Sequence, residues 1–170
     1  MDSKTISITF NTKDESDNSL WKDWLYDAHQ ISEIIGYKAT HFGFTTTKSK
    51  SGKIKEIKNA KKQIDKALED GQKIKHLSII VLPPNFESAS FDYNVMLVRS
   101  LEYVTVIINA KDYTEEKEKK IINILKKYTQ GCSGEMFEML KSDFPLSYSA
   151  KANKAEFYKT LRIIRKIEND

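Results

Sequence analysis

Residues 43–55 read GFTTTKSKSGKIK, a stretch of glycine, threonine, serine and lysine between two hydrophobic segments, and such a composition raises phosphate binding first. A Walker-type loop needs a glycine, four intervening residues, a Gly-Lys pair and then a hydroxyl for magnesium. Gly52 and Lys53 supply the pair, but Thr47 stands where the first glycine belongs and Ile54 where the hydroxyl belongs. Without those two parts the stretch reads as a lysine-rich turn, in which serine and glycine let the chain reverse. The order of strand, loop and helix still leaves backbone amides at the next helix start to attract an anion. Lys48, Lys50, Lys53 and Lys55 are the anion-binding candidates.

His29, His41 and His76 show no ligand spacing of the HExxH kind, and with one cysteine the chain has no zinc signature, so no metal or cofactor is expected. His76, Leu77 and Ser78 form one His-x-Ser triplet on a strand, which resembles half of the paired signature of the two-histidine phosphoesterases. Such an enzyme uses one imidazole as base and the other as acid, each held by a hydroxyl. His41 is followed by Phe42 and Gly43, so the second triplet is missing, and no catalytic residue is assigned. Cys132, in QGCSGE, is expected near a helix start, where a thiol pKa falls, but nothing in the sequence names its partner.

Charge is unevenly distributed. Residues 38–75 hold 11 lysines against 4 acids, whereas residues 1–37 hold 3 lysines against 7 acids. The basic block offers a second functional class, a nucleic-acid or anionic-surface binder, whose affinity would fall steeply with salt as counterions are released. It contains no arginine for bidentate base contacts, so binding of that kind would be weak and indifferent to sequence. The single cysteine excludes an internal disulfide, and neither a membrane-helix run nor a signal-peptide pattern is present. The expectation is a cytoplasmic protein with no membrane partner.

The elements that must position these residues follow from periodicity. Ile6, Ile8 and Phe10 alternate with Thr5, Ser7 and Thr9, as in a strand with one buried face. Ser19 or Asn18 caps a helix whose Trp21, Trp24, Leu25, Ala28, Ile31 and Ile35 fall at three- and four-residue steps and which ends at Gly36. A strand around Phe42 and Phe44 and a helix bearing Ile57, Ala60, Ile64, Ala67 and Leu68 come next. HLSIIVL is continuous enough for a strand buried on both faces, and FDYNVMLV and YVTVIINA read as a hairpin beside it. Thr114 opens a helix bearing Ile121, Leu125 and Tyr128, a short MFEML segment follows, and Asn153 caps a final helix carrying Phe157, Leu161, Ile164 and Ile167. With no repeat and no dividing linker, residues 1–170 are one α+β domain: a mixed sheet of about five strands packed with helices, plus a C-terminal helical layer.

The remaining signal is surface. Asp14, Glu15, Asp17, Asp23 and Asp27 crowd the first loop and the outer face of the first helix, with Tyr26 among them. Positions 23, 27 and 30 lie on one side of that helix, away from Trp21, Leu25 and Ala28, so the face suits a basic partner. A cytoplasmic α+β chain carrying DESDNSLWKDWLYD and the hairpin FDYNVMLVRSLEYVTVIINA resembles the immunity proteins of bacterial polymorphic and contact-dependent toxin systems. That resemblance implies a protein without chemistry of its own, which binds a cognate toxin domain and occludes its active site or an adjoining surface. Asp23, Tyr26, Asp27, Asp14, Glu15 and Asp17 are the partner-binding candidates.

Overall fold

Strand β1 (Lys4–Asn11) realises the first alternating segment, but both of its faces are buried. In the computed structural model, which describes residues 2–12 and 19–168, β1 lies inside a sheet of eight strands ordered β3-β2-β4-β5-β6-β1-β7-β8. The others are β2 (His41–Thr46), β3 (Lys55–Glu56), β4 (Ile74–Val81), β5 (Val95–Ser100), β6 (Tyr103–Asn109), β7 (Gly134–Leu140) and β8 (Arg162–Ile167). Every pairing is antiparallel. The α+β class stands, whereas the mixed sheet of about five strands is corrected to eight antiparallel ones. MFEML is part of β7, the pair Lys55–Glu56 forms a short edge, and the C-terminal segment is β8 rather than a helix.

The expected C-terminal helical layer is therefore absent from the described residues. Phe157, Leu161, Ile164 and Ile167 do fall at helical steps, but Phe157 ends a 3-10 turn, and Ile164 and Ile167 lie in β8, paired to β7. Arg162, Arg165 and Lys166 of β8 reach Glu138 and Glu135 of β7 and the buried Glu118 on the helix side of the sheet. These ion pairs, with the ladder, reward the extended conformation over the helical one. The β5–β6 hairpin forms as expected, with Leu97 opposite Val106.

Helices α1 (Ser19–Ile35), α2 (Ala60–Glu69) and α4 (Glu115–Thr129) cover one face of the sheet. The apolar stripe of α1 drives this packing: Trp21, Trp24, Ala28 and Ile31 are fully buried against Ile79, Leu97 and Val106. Trp24 donates its indole N–H to the carbonyl of Leu77, which removes the penalty of burying that donor. Thr114 caps α4 by accepting from the backbone N–H of Lys117, and the helix stops where Gln130 and Gly131 turn left-handed. The opposite face is covered by two short helices, α3 (Ala89–Asp92) and α5 (Pro145–Ser149), and by the chain that follows α5. There two hydroxyls of β1 find partners inside, Thr5 donating to Met139 O and Thr9 to Val104 O, and Thr105 of β6 meets Ser149 at 3.1 Å, whereas the buried Ser7 hydroxyl has no partner among the described residues. That covering is why Thr5, Ser7 and Thr9 are buried rather than solvated. No helix among the described residues is long and apolar enough to cross a membrane.

Candidate functional site

On α1 the side chains divide by the helical period. Trp21, Trp24 and Ala28 go to the core, while Asp23, Tyr26 and Gln30 point outward. Tyr26 is 63% exposed, the most exposed aromatic on the helix-covered face, and its hydroxyl accepts from Gln30 Nε2 at 3.0 Å. Beside it, α1 and α2 leave a groove of about 310 Å³ lined by Lys22, Leu25, Tyr26, His29, Lys61, Ile64 and Asp65. Leu25 and Ile64 make its floor apolar, and Lys22 closes one end by pairing with Asp65 at 3.2 Å. Burial holds the His29 imidazole below its ordinary pKa, against the pull of Glu33, so the groove is lined by a neutral ring near pH 7.

Asp27 does not belong to this outer face. It is 5% exposed, accepts the Tyr128 hydroxyl at 2.6 Å and the Lys127 ammonium at 2.9 Å, and so ties α1 to α4. The helical wheel places it away from Trp21 and Leu25 correctly, but α4 packs over that side, where Tyr128 and Lys127 both donate to the carboxylate. Burial, the Asp27 hydrogen bond and the Asp27 charge together hold the Tyr128 phenol far above its ordinary pKa. Asp23 stays accessible, with Lys127 at the outer limit of an ion pair, 4.0 Å. Asp14, Glu15 and Asp17 lie outside the described residues. Lys127 and Tyr128 were not legible as partners of α1; the only signal was a tyrosine on the apolar stripe of α4, whose hydroxyl needs an acceptor when buried.

The loop at 43–55 is a turn folded back on the sheet. Thr46 accepts from the backbone N–H groups of Lys48 and Ser49 and donates to Gln72, which closes the turn locally. The carbonyl of Gly52 passes so near Gly43 that a Cβ there would sit 2.9 Å from it, so Gly43 is required by close backbone approach. Lys48, Lys50 and Lys53 are exposed at the tip. Lys55 turns away from them, donating to Gln63 and lying 5.9 Å from the Phe44 ring centre.

His41 and His76 share a face of the sheet but not a cleft. His41 pairs with Ile80 and His76 with Thr45, so four residues of register separate them, about 13 Å at roughly 3.3 Å per residue. Gly43 and Ser78 lie between, and the Gly52–Ile54 segment rests on them. Ser78 is on the face of His76, as strand alternation requires, but donates to the Gly43 carbonyl instead of holding an imidazole. His41 contacts Thr40 Oγ1 at 2.8 Å and meets Phe86 edge to face. No single phosphate reaches both rings. Cys132 follows the C-terminal end of α4 and not a helix start.

A second and larger cavity, about 610 Å³, opens on the other side of the sheet between β1, β7, β8 and the turn after α5. Its central carboxylate, Glu135, is engaged at both oxygens, by the Tyr148 hydroxyl and the Lys166 ammonium. Among the described residues no cluster of three or more His, Cys, Asp or Glu is placed to hold a metal ion. Compared with family models, with curated proteins and with solved structures, the chain shows no match.

Proposed function

We propose that this chain is a protein-binding inhibitor of the immunity type, which recognises a cognate toxin domain through the outer face of α1 and the groove between α1 and α2. The observation that carries the reading is Tyr26, an aromatic left 63% exposed at the rim of an apolar groove while the other large apolar side chains of α1 pack against the core. Tyrosine at the centre of an interface supplies contact area at little entropic cost, and such anchors concentrate binding energy. Asp23 stands one turn away and adds a charged contact. Occlusion of a partner's active site by this face requires no chemistry from the chain itself.

The test pairs binding with protection. Tyr26→Ala and Asp23→Lys change exposed residues and should leave the fold intact while weakening capture of a stoichiometric protein partner, Tyr26→Ala by about tenfold or more. Co-expression should relieve the toxicity of that partner with the wild-type chain and not with Tyr26→Ala. A partner held equally well by both variants would refute this assignment of the surface.

A second reading rests on Lys48, Lys50 and Lys53, which project from one turn with no ion-pair partner among the described residues. Together with Lys61 and Lys62 on α2 they suit a polyanion held weakly and without sequence preference. Oligonucleotide titration at about 50 and 200 mM salt checks it: affinity that survives the higher salt contradicts this reading.

A further inference from the structure

The cavity of about 610 Å³ on the side of the sheet opposite α1 is built on a row of polar residues. Register sets Thr105, Thr9, Glu135 and Lys166 side by side on four neighbouring strands, β6, β1, β7 and β8, with their side chains on one face. At the usual strand spacing of about 4.8 Å the row runs for about 14 Å. α5 stands over one end of it, where Ser149 meets the Thr105 hydroxyl, and the Tyr148 ring, braced edge to face by Phe137 and Tyr158, forms a wall. Asn11, Ser133 and Asn153 add two amides and a hydroxyl to the lining. Withdrawing polar side chains from water costs free energy that apolar ones would not, and the neighbouring stretch of the same sheet face, around Ile80, Met96 and Ile107, is apolar. The polar row therefore coincides with the cavity and not with the sheet face as a whole.

We propose that this cavity binds a neutral saccharide. Each sugar hydroxyl both donates and accepts, so its recognition takes donors and acceptors interspersed at close spacing. Thr9 gives its proton to the Val104 carbonyl and presents its oxygen as an acceptor. Glu135 is fixed by the Tyr148 hydroxyl at one oxygen and the Lys166 ammonium at the other, and each oxygen keeps a lone pair for a ligand hydroxyl. Because those two partners set the carboxylate in place beforehand, little ordering cost falls on binding. Lys166 and the amide of Asn153 supply donors, and the Tyr148 wall gives an apolar surface for the C–H groups of a sugar ring. The charges of the lining balance, Lys151 and Lys166 against Glu135 and Glu168, so net charge draws neither an anion nor a cation. A volume of about 610 Å³ lies within the roughly 300–1,000 Å³ of small-ligand sites. The cavity adjoins a second one of about 440 Å³, with which it shares Asn11, Ser133, Ser149 and Lys151, leaving room for more than one ring. The site lies across the sheet from Tyr26 and stands independently of the inhibitor reading.

Backbone amide NMR of the isotope-labelled full chain tests the proposal, with glucose, galactose, mannose, N-acetylglucosamine, maltose, cellobiose and lactose each added to about 50 mM, a range that covers millimolar dissociation constants. At least one of these sugars should shift the signals of Gly134, Glu135, Ser149 and Asn153 saturably, whereas inorganic phosphate and methylammonium at the same concentration should not. Glu135→Ala removes the central acceptor, and Asn153→Leu removes an amide at an exposed position. Each should weaken the sugar about tenfold; the exposed Asn153 site keeps the test readable where loss of Glu135 disturbs the pairing of β7 with β8. If none of the seven sugars gives a saturable shift at these residues, the proposal is overturned. Sugar binding that neither variant weakens, or phosphate or methylammonium bound there as tightly as the best sugar, overturns it as well.

Discussion

Replacing Asp27 by alanine should cost about 2.5 kcal/mol of stability, and the magnitude follows from its two partners. The Tyr128 bond, 2.6 Å long and buried, is charge-assisted, a class that contributes about 1.5–3 kcal/mol. Losing it also strands a phenolic hydroxyl that is buried beneath α1. The Lys127 bond adds little, since that side chain is 48% exposed and screened, about 0.2–1 kcal/mol. Relief of the desolvation of a buried carboxylate offsets part of the loss. For a chain of this length such a change lowers Tm by roughly 5–10 °C. Urea unfolding followed by tryptophan fluorescence reads it directly, because Trp24 packs edge to face on Tyr128 at 5.3 Å. The cycle with Tyr128→Phe should show a coupling of about 1–2 kcal/mol, since either single change removes the same bond. Asp23→Ala, on the same helix but solvated, should stay within about 0.5 kcal/mol. An Asp27→Ala variant equally close to the wild type would refute the claim that this carboxylate joins two helices, and would return it to the binding face.

Two further outcomes follow from burial and close approach. Burial lowers the pKa of His76, and of His29, below 6.5, so the unfolded chain binds more protons in the window from 6.5 down to the folded values. Stability should therefore be full above about pH 6.5 and fall as pH drops through that window; a His76→Gln variant whose unfolding free energy tracks the wild type across the window contradicts the assignment. Gly134 packs against β1 so closely that a Cβ would lie 2.4 Å from the Thr9 carbonyl, against 2.9 Å from Gly52 O at Gly43. Gly134→Ala should thus be the more destabilising, by upward of about 1–3 kcal/mol, and equal denaturation midpoints for the two alanine variants would disprove the ranking.

Local signals alone determined α1, α4 and the β5–β6 hairpin. The stripe of Trp21, Trp24, Ala28 and Ile31, the Thr114 cap with its acidic first turn, and the β-branched runs joined by a short turn each carry their own energetic reason for one conformation. Tyr26 and Asp23 were legible as outward for the same reason, since helical period alone separates them from the core. Tertiary structure decided the rest. The spacing of Phe157, Leu161, Ile164 and Ile167 fits a helix, but a segment rich in isoleucine and arginine beside an open β7 edge gains a ladder and three ion pairs by extending, and no window of local sequence contains that edge. His41 and His76 could be assigned to strands, yet their distance depends on the register between β2 and β4. Asp27 reads as a surface acid until α4, a hundred residues later, lays Tyr128 and Lys127 against it. Periodicity tells a side chain which way to leave its own element; whether it meets water or a buried hydroxyl there is set by what else packs on that side.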